Sequence, residues 1–308
     1  MNIITLTLSP AFDVHCEADE LKLEWENTAR IIRTDTGGKG VNISRALISA
    51  SVPSKAVVVL GEENADSFIK GLDADGIDFL PITVGGRIRE NITVKTKSGK
   101  ETRISFVGSA TSIDIMAKVE EAVLPISGVG TIITLTGRVP SGIDMERVHR
   151  FIDKLHATGC LIVIDSRSFT LSDLVRAHPF LVKPNEEEIA SYVGRELTSF
   201  EDAIAEADRL RELGIENVMI SLGSLGAVLS SKEGSYFVKA PNITPRSTIG
   251  AGDSSIAGFV SAVSEGESLL FALRRAVAFG SAACLTEGTL PPKRDDIESF
   301  MSILSSDI

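Results

Sequence analysis

Along the chain, short runs of consecutive apolar residues alternate with stretches whose apolar positions recur every three or four residues. Ala56-Val57-Val58-Val59-Leu60, Gly130-Thr131-Ile132-Ile133-Thr134-Leu135, Cys160-Leu161-Ile162-Val163-Ile164-Asp165 and Val218-Met219-Ile220-Ser221-Leu222 are short and rich in β-branched side chains. Runs of this kind predict parallel strands covered on both faces. Between them, residues 144–158 carry Met145, Val148, Phe151, Ile152 and Leu155 at helical spacing, and residues 199–213 open with Ser199 three positions before Asp202, a capping pattern. Strand and helix in alternation predict an α/β fold, a Rossmann-like doubly wound and mostly parallel sheet with helices on both faces.

One region has a different period. Residues 91–97 and 101–106 alternate apolar and polar side chains on either side of Ser98-Gly99-Lys100, which predicts a hairpin with one buried and one wet face. Residues 12–36 lack a helical period. Together these stretches, roughly 12–36 and 88–107, predict a small β lid inserted into a single α/β domain spanning residues 1–308. A lone lid leaves an apolar face uncovered, so lid-to-lid pairing in a homodimer is expected. No internal repeat, low-complexity tract or Pro/Ser-rich linker marks a second unit.

Composition narrows the partners. The 308 residues are 43% hydrophobic and 24% charged, ordinary for a folded enzyme, with a net charge of −11 at pH 7. Such a surface repels nucleic acid and anionic membrane, so a phosphate ester can bind only where Lys, Arg or backbone N–H groups gather. Cys16, Cys160 and Cys284 lie far apart without metal spacing, as expected of reduced thiols. The first eight residues lack the basic flank and cleavage site of a signal peptide, and no apolar run approaches the roughly 18 residues that span a bilayer. A cytoplasmic location is the expectation.

Three segments carry candidate chemistry. In Ser247-Thr248-Ile249-Gly250-Ala251-Gly252-Asp253-Ser254, glycines around a small alanine precede a helical pattern through Ile256, Phe259, Val260 and Val263. The N–H groups and dipole at such a helix start favour an anion. Asp253 there is either a plain N-terminal helix acid or a base beside N–H groups that hold a transferring phosphoryl group. In Asp35-Thr36-Gly37-Gly38-Lys39-Gly40-Val41-Asn42, leading into a helix over 43–50, three glycines and a lysine form either a phosphate or hydroxyl cradle or a simple glycine-rich turn; a Walker A loop is absent. In Lys183-Pro184-Asn185-Glu186-Glu187-Glu188, Asn185 and Glu188 have cap spacing, and the same groups can orient Mg²⁺ through water. These two readings are compatible.

With Thr5-Leu6-Thr7-Leu8-Ser9-Pro10-Ala11-Phe12-Asp13 at the start and Ser221-Leu222-Gly223-Ser224-Leu225-Gly226 between the last two, these segments occur in the order seen in the ribokinase-like (PfkB-type) carbohydrate kinases. The resemblance covers nearly the whole chain and is strongest to the phosphosugar branch: 1-phosphofructokinase, tagatose-6-phosphate kinase and the minor 6-phosphofructokinase. It implies ATP-dependent phosphorylation of a ketohexose monophosphate, foremost fructose 1-phosphate, with tagatose 6-phosphate and fructose 6-phosphate as alternatives. It implies further that Asp13 binds sugar hydroxyls, and that Gly37, Gly38, Lys39 and Asn42, with Arg89, Asn91 and Arg103, hold the sugar phosphate. Lys183, Asn185, Ser221, Gly223 and Gly226 would line the ATP site, with Glu188 acting through Mg²⁺. Gly250, Ala251 and Gly252 would form the anion hole, and Asp253 would be the base. Ser247, Ile249, Ala283, Thr286 and Gly288 match the carbonyl positions of a K⁺ site found in parts of the family.

The chain departs from the family pattern at two places. Ser9 stands before Pro10 where Asn is common, and Thr136-Gly137-Arg138-Val139-Pro140 replaces Ser-Gly-Ser-Leu-Pro. Arg138 either points into the site and binds phosphate, altering the preferred sugar, or points outward. A non-catalytic sugar-phosphate sensor is the alternative of a different class, and Arg138 is the feature that speaks for it. Among the other polar residues, His149 and His156 read as solvated side chains of a surface helix, Asp165 as a turn or capping residue at the carboxyl edge of the sheet with a role near the nucleotide as the alternative, and residues 293–296 as a solvated helix start.

Overall fold

The computed structural model describes residues 1–108 and 115–306. Each apolar run is a strand because both its faces are covered. In β1 (Ile3–Thr7), β8 (Ile132–Thr136) and β9 (Leu161–Asp165), Ile4, Ile133, Ile162 and Ile164 pack into one core, while Ile3, Ile132 and Val163 pack into another on the opposite face. β1 is an interior strand of a nine-stranded sheet. On one side of it run β4 (Lys55–Gly61) and β5 (Phe79–Val84). On the other run β8, β9, β10 (Leu181–Val182) and β11 (Asn217–Ser221), all parallel. The hairpin β12 (Gly226–Ser231) and β13 (Gly234–Lys239) closes that edge antiparallel. Strand order therefore reverses at β1, and the crevice beyond the carboxyl ends of β1 and β8 is where ligands of such sheets bind.

The period-2 stretches form a second sheet, in the order β3 (Arg30–Gly37), β2 (Ala11–Ala18), β6 (Arg89–Thr96), β7 (Glu101–Ser105). Its even-numbered residues Phe12, Val14, Cys16 and Val94 are buried against Phe68 and Leu72 of α2 (Ala65–Ala74). The odd-numbered residues Asp13, Arg89 and Asn91 turn the other way, toward the cleft, as alternation requires.

Helices α1 (Lys39–Ser49), α8 (Ala251–Glu265), α9 (Leu269–Ala283) and α10 (Arg294–Ser306) pack on the face of the main sheet that carries Ile3. Helices α3 (Ile115–Val123), α4 (Met145–Ala157), α5 (Leu171–Ala177), α6 (Glu186–Val193) and α7 (Phe200–Glu212) pack on the other. Asp144 and Ser199 cap α4 and α7 with their side chains. α1 starts at Lys39, one turn earlier than its apolar pattern, because Gly38 is its N-cap. Lys39 and Asn42, three apart, thus share one helix face. His149 is not solvated: it is 2% exposed, with Nε2 3.0 Å from Asp173 Oδ1 and its ring edge-on to Phe169. The apolar pattern of α4 placed its neighbours in the core but could not show that α5 supplies a carboxylate. Among the described residues no helix is long and apolar enough to cross a membrane, and Cys16, Cys160 and Cys284 are free thiols.

Candidate active site

The second sheet supplies one wall of the cleft. Parallel pairing sets Asp13 opposite Asn91. Asp13 Oδ1 accepts hydrogen bonds from Asn91 Nδ2 at 2.9 Å and Arg103 Nη2 at 2.7 Å. Arg89 Nη1 donates in turn to Asn91 Oδ1 at 2.8 Å. Gly37 leaves room for this carboxylate, since a side-chain carbon there would lie 2.3 Å from Asp13 Oδ2. Asp13, Asn91, Arg89 and Arg103 are therefore one connected polar group.

Facing it, Asp253 occupies the first turn of α8, whose N-cap Gly250 has φ 82°, a left-handed conformation that suits glycine. Asp253 is buried, and Asn42 Nδ2 donates to its Oδ2 at 2.8 Å. Arg45, one turn further along α1, donates to Asn42 Oδ1 at 3.1 Å and to Asp75 Oδ2 at 2.9 Å. This chain fixes the amide so that its N–H₂ must face Asp253. Burial pushes the Asp253 carboxyl up to about 6, opposed by Lys39 and the Asn42 hydrogen bond and assisted by the negative charge of Asp165.

Asp165, at the end of β9, sits between two lysines: Lys39 Nζ is 2.9 Å and Lys183 Nζ 3.6 Å from its Oδ2. Burial works against the Asp165 charge, but Lys183 and Lys39 outweigh it and hold the carboxyl below its usual range. Burial also opposes the charge on Lys39, which Asp165 and Asp253 raise above the ordinary lysine value. Asp165 is no mere turn residue. The run of apolar residues before it located the sheet's carboxyl edge, yet nothing in the sequence brought Lys39 and Lys183 to the same oxygen.

Asn185 caps α6 in a reciprocal capping box with Glu188: Glu188 N donates to Asn185 Oδ1 at 2.8 Å, and Asn185 N to Glu188 Oε2 at 3.1 Å. Glu188 Oε1 also accepts from Arg167 Nε at 3.0 Å, and Arg167 Nη2 donates to Glu187 Oε2 at 2.7 Å. Among the described residues no group of three or more His, Cys, Asp or Glu could cage a metal. Mg²⁺ keeps several waters and is bound through one or two carboxylates together with substrate phosphates, and Glu188 offers one such carboxylate at the cavity.

Nearly all the expected residues line one cavity of about 820 Å³: Asp13, Gly38, Lys39, Asn42, Arg89, Asn91, Arg103, Lys183, Asn185, Glu188, Ser221, Gly223, Gly226, Ile249 and Gly250 to Asp253. Its volume falls within the usual range of small-molecule sites. Asp165, Arg167 and an apolar floor including Met219, Ala276, Val277 and Ile243 complete the lining. These floor residues come from separate elements and leave no motif. Arg138 lies in an adjoining cavity of about 320 Å³ that shares Arg89 and Arg167 with the larger one. Gly37, Ser247, Ala283, Thr286 and Gly288 stand outside both linings. The segments holding Ser247 and Ala283 to Gly288 are nevertheless adjacent, because Arg246 N donates to Cys284 O at 2.8 Å. The Ala283 carbonyl already accepts from Thr286 N at 3.1 Å and Oγ1 at 2.8 Å, which leaves it a poorer cation ligand than a free carbonyl.

A doubly wound sheet with a carboxylate at a glycine-turned helix start, facing a cationic sheet wall, defines a phosphoryl-transfer enzyme of the ribokinase-like fold. Residues 11–296 match the model of the pfkB family carbohydrate kinases, and the chain belongs to that family. It is a phosphotransferase with an alcohol group as acceptor. The chain is 32% identical over 282 residues to the 1-phosphofructokinase of Escherichia coli K12, covering 91% of this chain and 90% of the relative. It is 30% identical to the ATP-dependent 6-phosphofructokinase isozyme 2 of the same organism, over 99% of each chain. The crystal structure of phosphofructokinase-2 from Escherichia coli in complex with potassium superposes with a TM-score of 0.92 at 29% identity, covering 99% of both chains.

Proposed function

We propose that the protein transfers the γ-phosphoryl group of ATP to a free hydroxyl of a ketohexose monophosphate, foremost fructose 1-phosphate, giving fructose 1,6-bisphosphate. One observation carries this reading: the buried Asp253–Asn42 pair and the Asp13–Asn91–Arg89–Arg103 group line the same cavity. The first group can take a proton from an alcohol, and the second can hold a phosphorylated sugar. In this reading Asp253 Oδ accepts the proton of the attacking hydroxyl, and Asn42 keeps the carboxylate aimed. The N–H groups of Gly252 and Asp253 have no intrahelical partner and face the charge that spreads over the transferring oxygens. Asp13 orients sugar hydroxyls, while Lys183, Asn185, Ser221, Gly223 and Gly226 flank the nucleotide, whose base takes the apolar floor.

Mg²⁺ bound to the ATP phosphates would be oriented through water by Glu188 and Asn185, neutralising phosphate charge; K⁺ would be held by the carbonyls at Ser247, Ile249, Thr286 and Gly288, with Ala283, whose carbonyl Thr286 already engages, contributing least. Activity that survives EDTA, or that is equal in Na⁺ and K⁺, would remove the respective ion. A second acceptor, fructose 6-phosphate, is favoured by the full-length similarity to the 6-phosphofructokinase isozyme.

Arg89→Ala removes a guanidinium whose charged hydrogen bonds are worth about 1.5–3 kcal/mol each. It is expected to raise KM for the sugar phosphate by roughly 10–100-fold, with KM for ATP little changed. Equal effects on both would make Arg89 structural and weaken the assignment of this wall to the acceptor.

The second sheet and the β2–β3 connection leave large apolar side chains in the open: Leu23 and Trp25 in the connection are 91% and 76% exposed, and Ile31 on β3 is 65% exposed. We assign these to lid-to-lid pairing in a cytoplasmic homodimer. Trp25→Glu combined with Ile31→Glu should sediment as a monomer where the parent chain is dimeric; an unchanged mass places any dimer contact elsewhere.

A further inference from the structure

The smaller cavity is built from the segments after β1, β8 and β9, the end of β4, the entry to β6 and the exit of β7, and four arginines line it: Arg87, Arg89, Arg138 and Arg167. No Asp or Glu lines it among the described residues. Two of the four have carboxylate partners. Arg87 Nη2 lies 3.1 Å from Glu90 Oε1, and Arg167 is bound to Glu187 and Glu188. Arg89 and Arg138 have no carboxylate ion pair among the described residues. The Nε–H of Arg89 is buried with no hydrogen-bond partner, although Nη1 of the same guanidinium is held by Asn91. Burial lowers the Arg89 pKa, and the charge of Arg138 lowers it further, so the two guanidinium groups feel one another across the cavity.

Arg138 is exposed and its charge is screened by solvent, so the cost in the empty protein falls on Arg89, whose Nε–H is buried and unsatisfied. A dianion between them removes that cost, and the planar fork of arginine suits a phosphate better than a point charge does. Arg138 is held in place by its neighbours. Gly137 N donates to Asp165 O at 3.0 Å, and Val139 N to Ser168 Oγ at 3.0 Å, so the backbone on both sides of Arg138 is pinned to the segment after β9. Ser9, Arg138 and Val139, three of the positions that depart from the family pattern, line this same cavity.

We propose that Arg138 and Arg89 form a two-arginine clamp that holds the acceptor's own phosphate in the smaller cavity, making Arg138 a specificity-determining residue of this chain. The clamp rests on the kinase reading above and deepens it. It selects acceptors by charge: a phosphorylated ketose compensates both guanidinium groups, and a neutral ketose compensates neither. Of the two orientations the sequence left open, the clamp takes the one in which Arg138 points into the site, where it lines the smaller cavity.

The test compares the parent protein with Arg138→Ser and Arg138→Lys. Steady-state kinetics would use fructose 1-phosphate, fructose 6-phosphate, tagatose 6-phosphate and free fructose, and calorimetry would measure fructose 1-phosphate and fructose 6-phosphate binding without ATP. Arg138→Ser is expected to raise KM and Kd for the phosphorylated ketoses by about 10-fold or more. KM for ATP should stay within about twofold, and the preference over free fructose should shrink by the same factor as the loss in KM. Arg138→Lys should fall between serine and the parent, since it keeps the charge and loses the fork. Unchanged KM and Kd for phosphorylated ketoses in Arg138→Ser, with turnover intact, overturn the clamp and leave the kinase reading standing. A parent protein that neither binds nor phosphorylates any of the sugar phosphates overturns both.

Discussion

Asp253→Asn is expected to lower kcat by roughly 10²- to 10⁴-fold, the range a positioned general base supplies, and to raise Tm at the same time. Both effects have one cause. Burial pushes the Asp253 carboxyl from 3.8 up to about 6, so at pH 7 it remains a carboxylate, which a base requires, in a place that disfavours its charge. Because the folded-state pKa lies above the unfolded one, the folded protein binds more protons between those two values. Stability on this account rises as pH falls from above 6 toward 4, and the full cost of the buried charge is present at pH 7. At 1.36 kcal/mol per unit, the shift corresponds to roughly 3 kcal/mol. Asparagine is neutral at every pH, has the same shape, and can still accept from Asn42 Nδ2. The gain in Tm should therefore be several degrees at pH 7 and should shrink near pH 4.5. Near-normal turnover in the variant would remove Asp253 as the base. A Tm gain independent of pH would remove the buried-charge explanation while leaving the base intact.

The second large effect is expected at Asp165. Asp165→Asn strands Lys39 and Lys183 beside a neutral side chain, and Lys183 is 5% exposed. Breaking a buried ion pair by removing one partner costs about 3–5 kcal/mol, and urea unfolding should show a loss of that size. The same substitution moves the pH dependence of kcat in a defined direction. Asp165 raises the Asp253 pKa while Lys39 and Lys183 lower it, so without Asp165 the acid limb of kcat shifts to lower pH. A stability loss under about 1 kcal/mol, or an acid limb shifted upward, contradicts the assigned electrostatics.

Which parts of this site could be read from the chain follows from what is local. The strand at 160–165, the helix at 144–158 and the turn at Gly250 each rest on a few adjacent residues, whose period or backbone freedom is written into the sequence. The capping box of Asn185 and Glu188 is local too, and the helix start shows both bonds. Asp165 was misjudged because its importance comes from Lys39, 126 positions earlier in the chain, and Lys183, which meet it only in the folded sheet. His149 was misjudged for the same reason, since Asp173 reaches it from the neighbouring helix. Arg45 went unnoticed although it lies one helical turn from Asn42, because its task of fixing the amide depends on Asp75 holding it from the other side. The backbone on either side of Arg138 is held by hydrogen bonds to residues 165 and 168, which no pattern around Thr136-Gly137-Arg138 encodes.

The central claim is that Asp253 deprotonates the hydroxyl of a phosphorylated ketose for attack on ATP. Its most direct test is ADP release from Mg-ATP, in K⁺ buffer, against fructose 1-phosphate, fructose 6-phosphate, tagatose 6-phosphate and unphosphorylated ketohexoses, run side by side for the parent protein and Asp253→Asn. The account predicts turnover with a phosphorylated ketose, fructose 1-phosphate foremost, lost in the variant although sugar-phosphate binding by calorimetry persists. ADP release that is equal in the two proteins, or absent from the parent across the whole panel while sugar phosphates still bind, would contradict it, and the second result would make the protein a sugar-phosphate sensor.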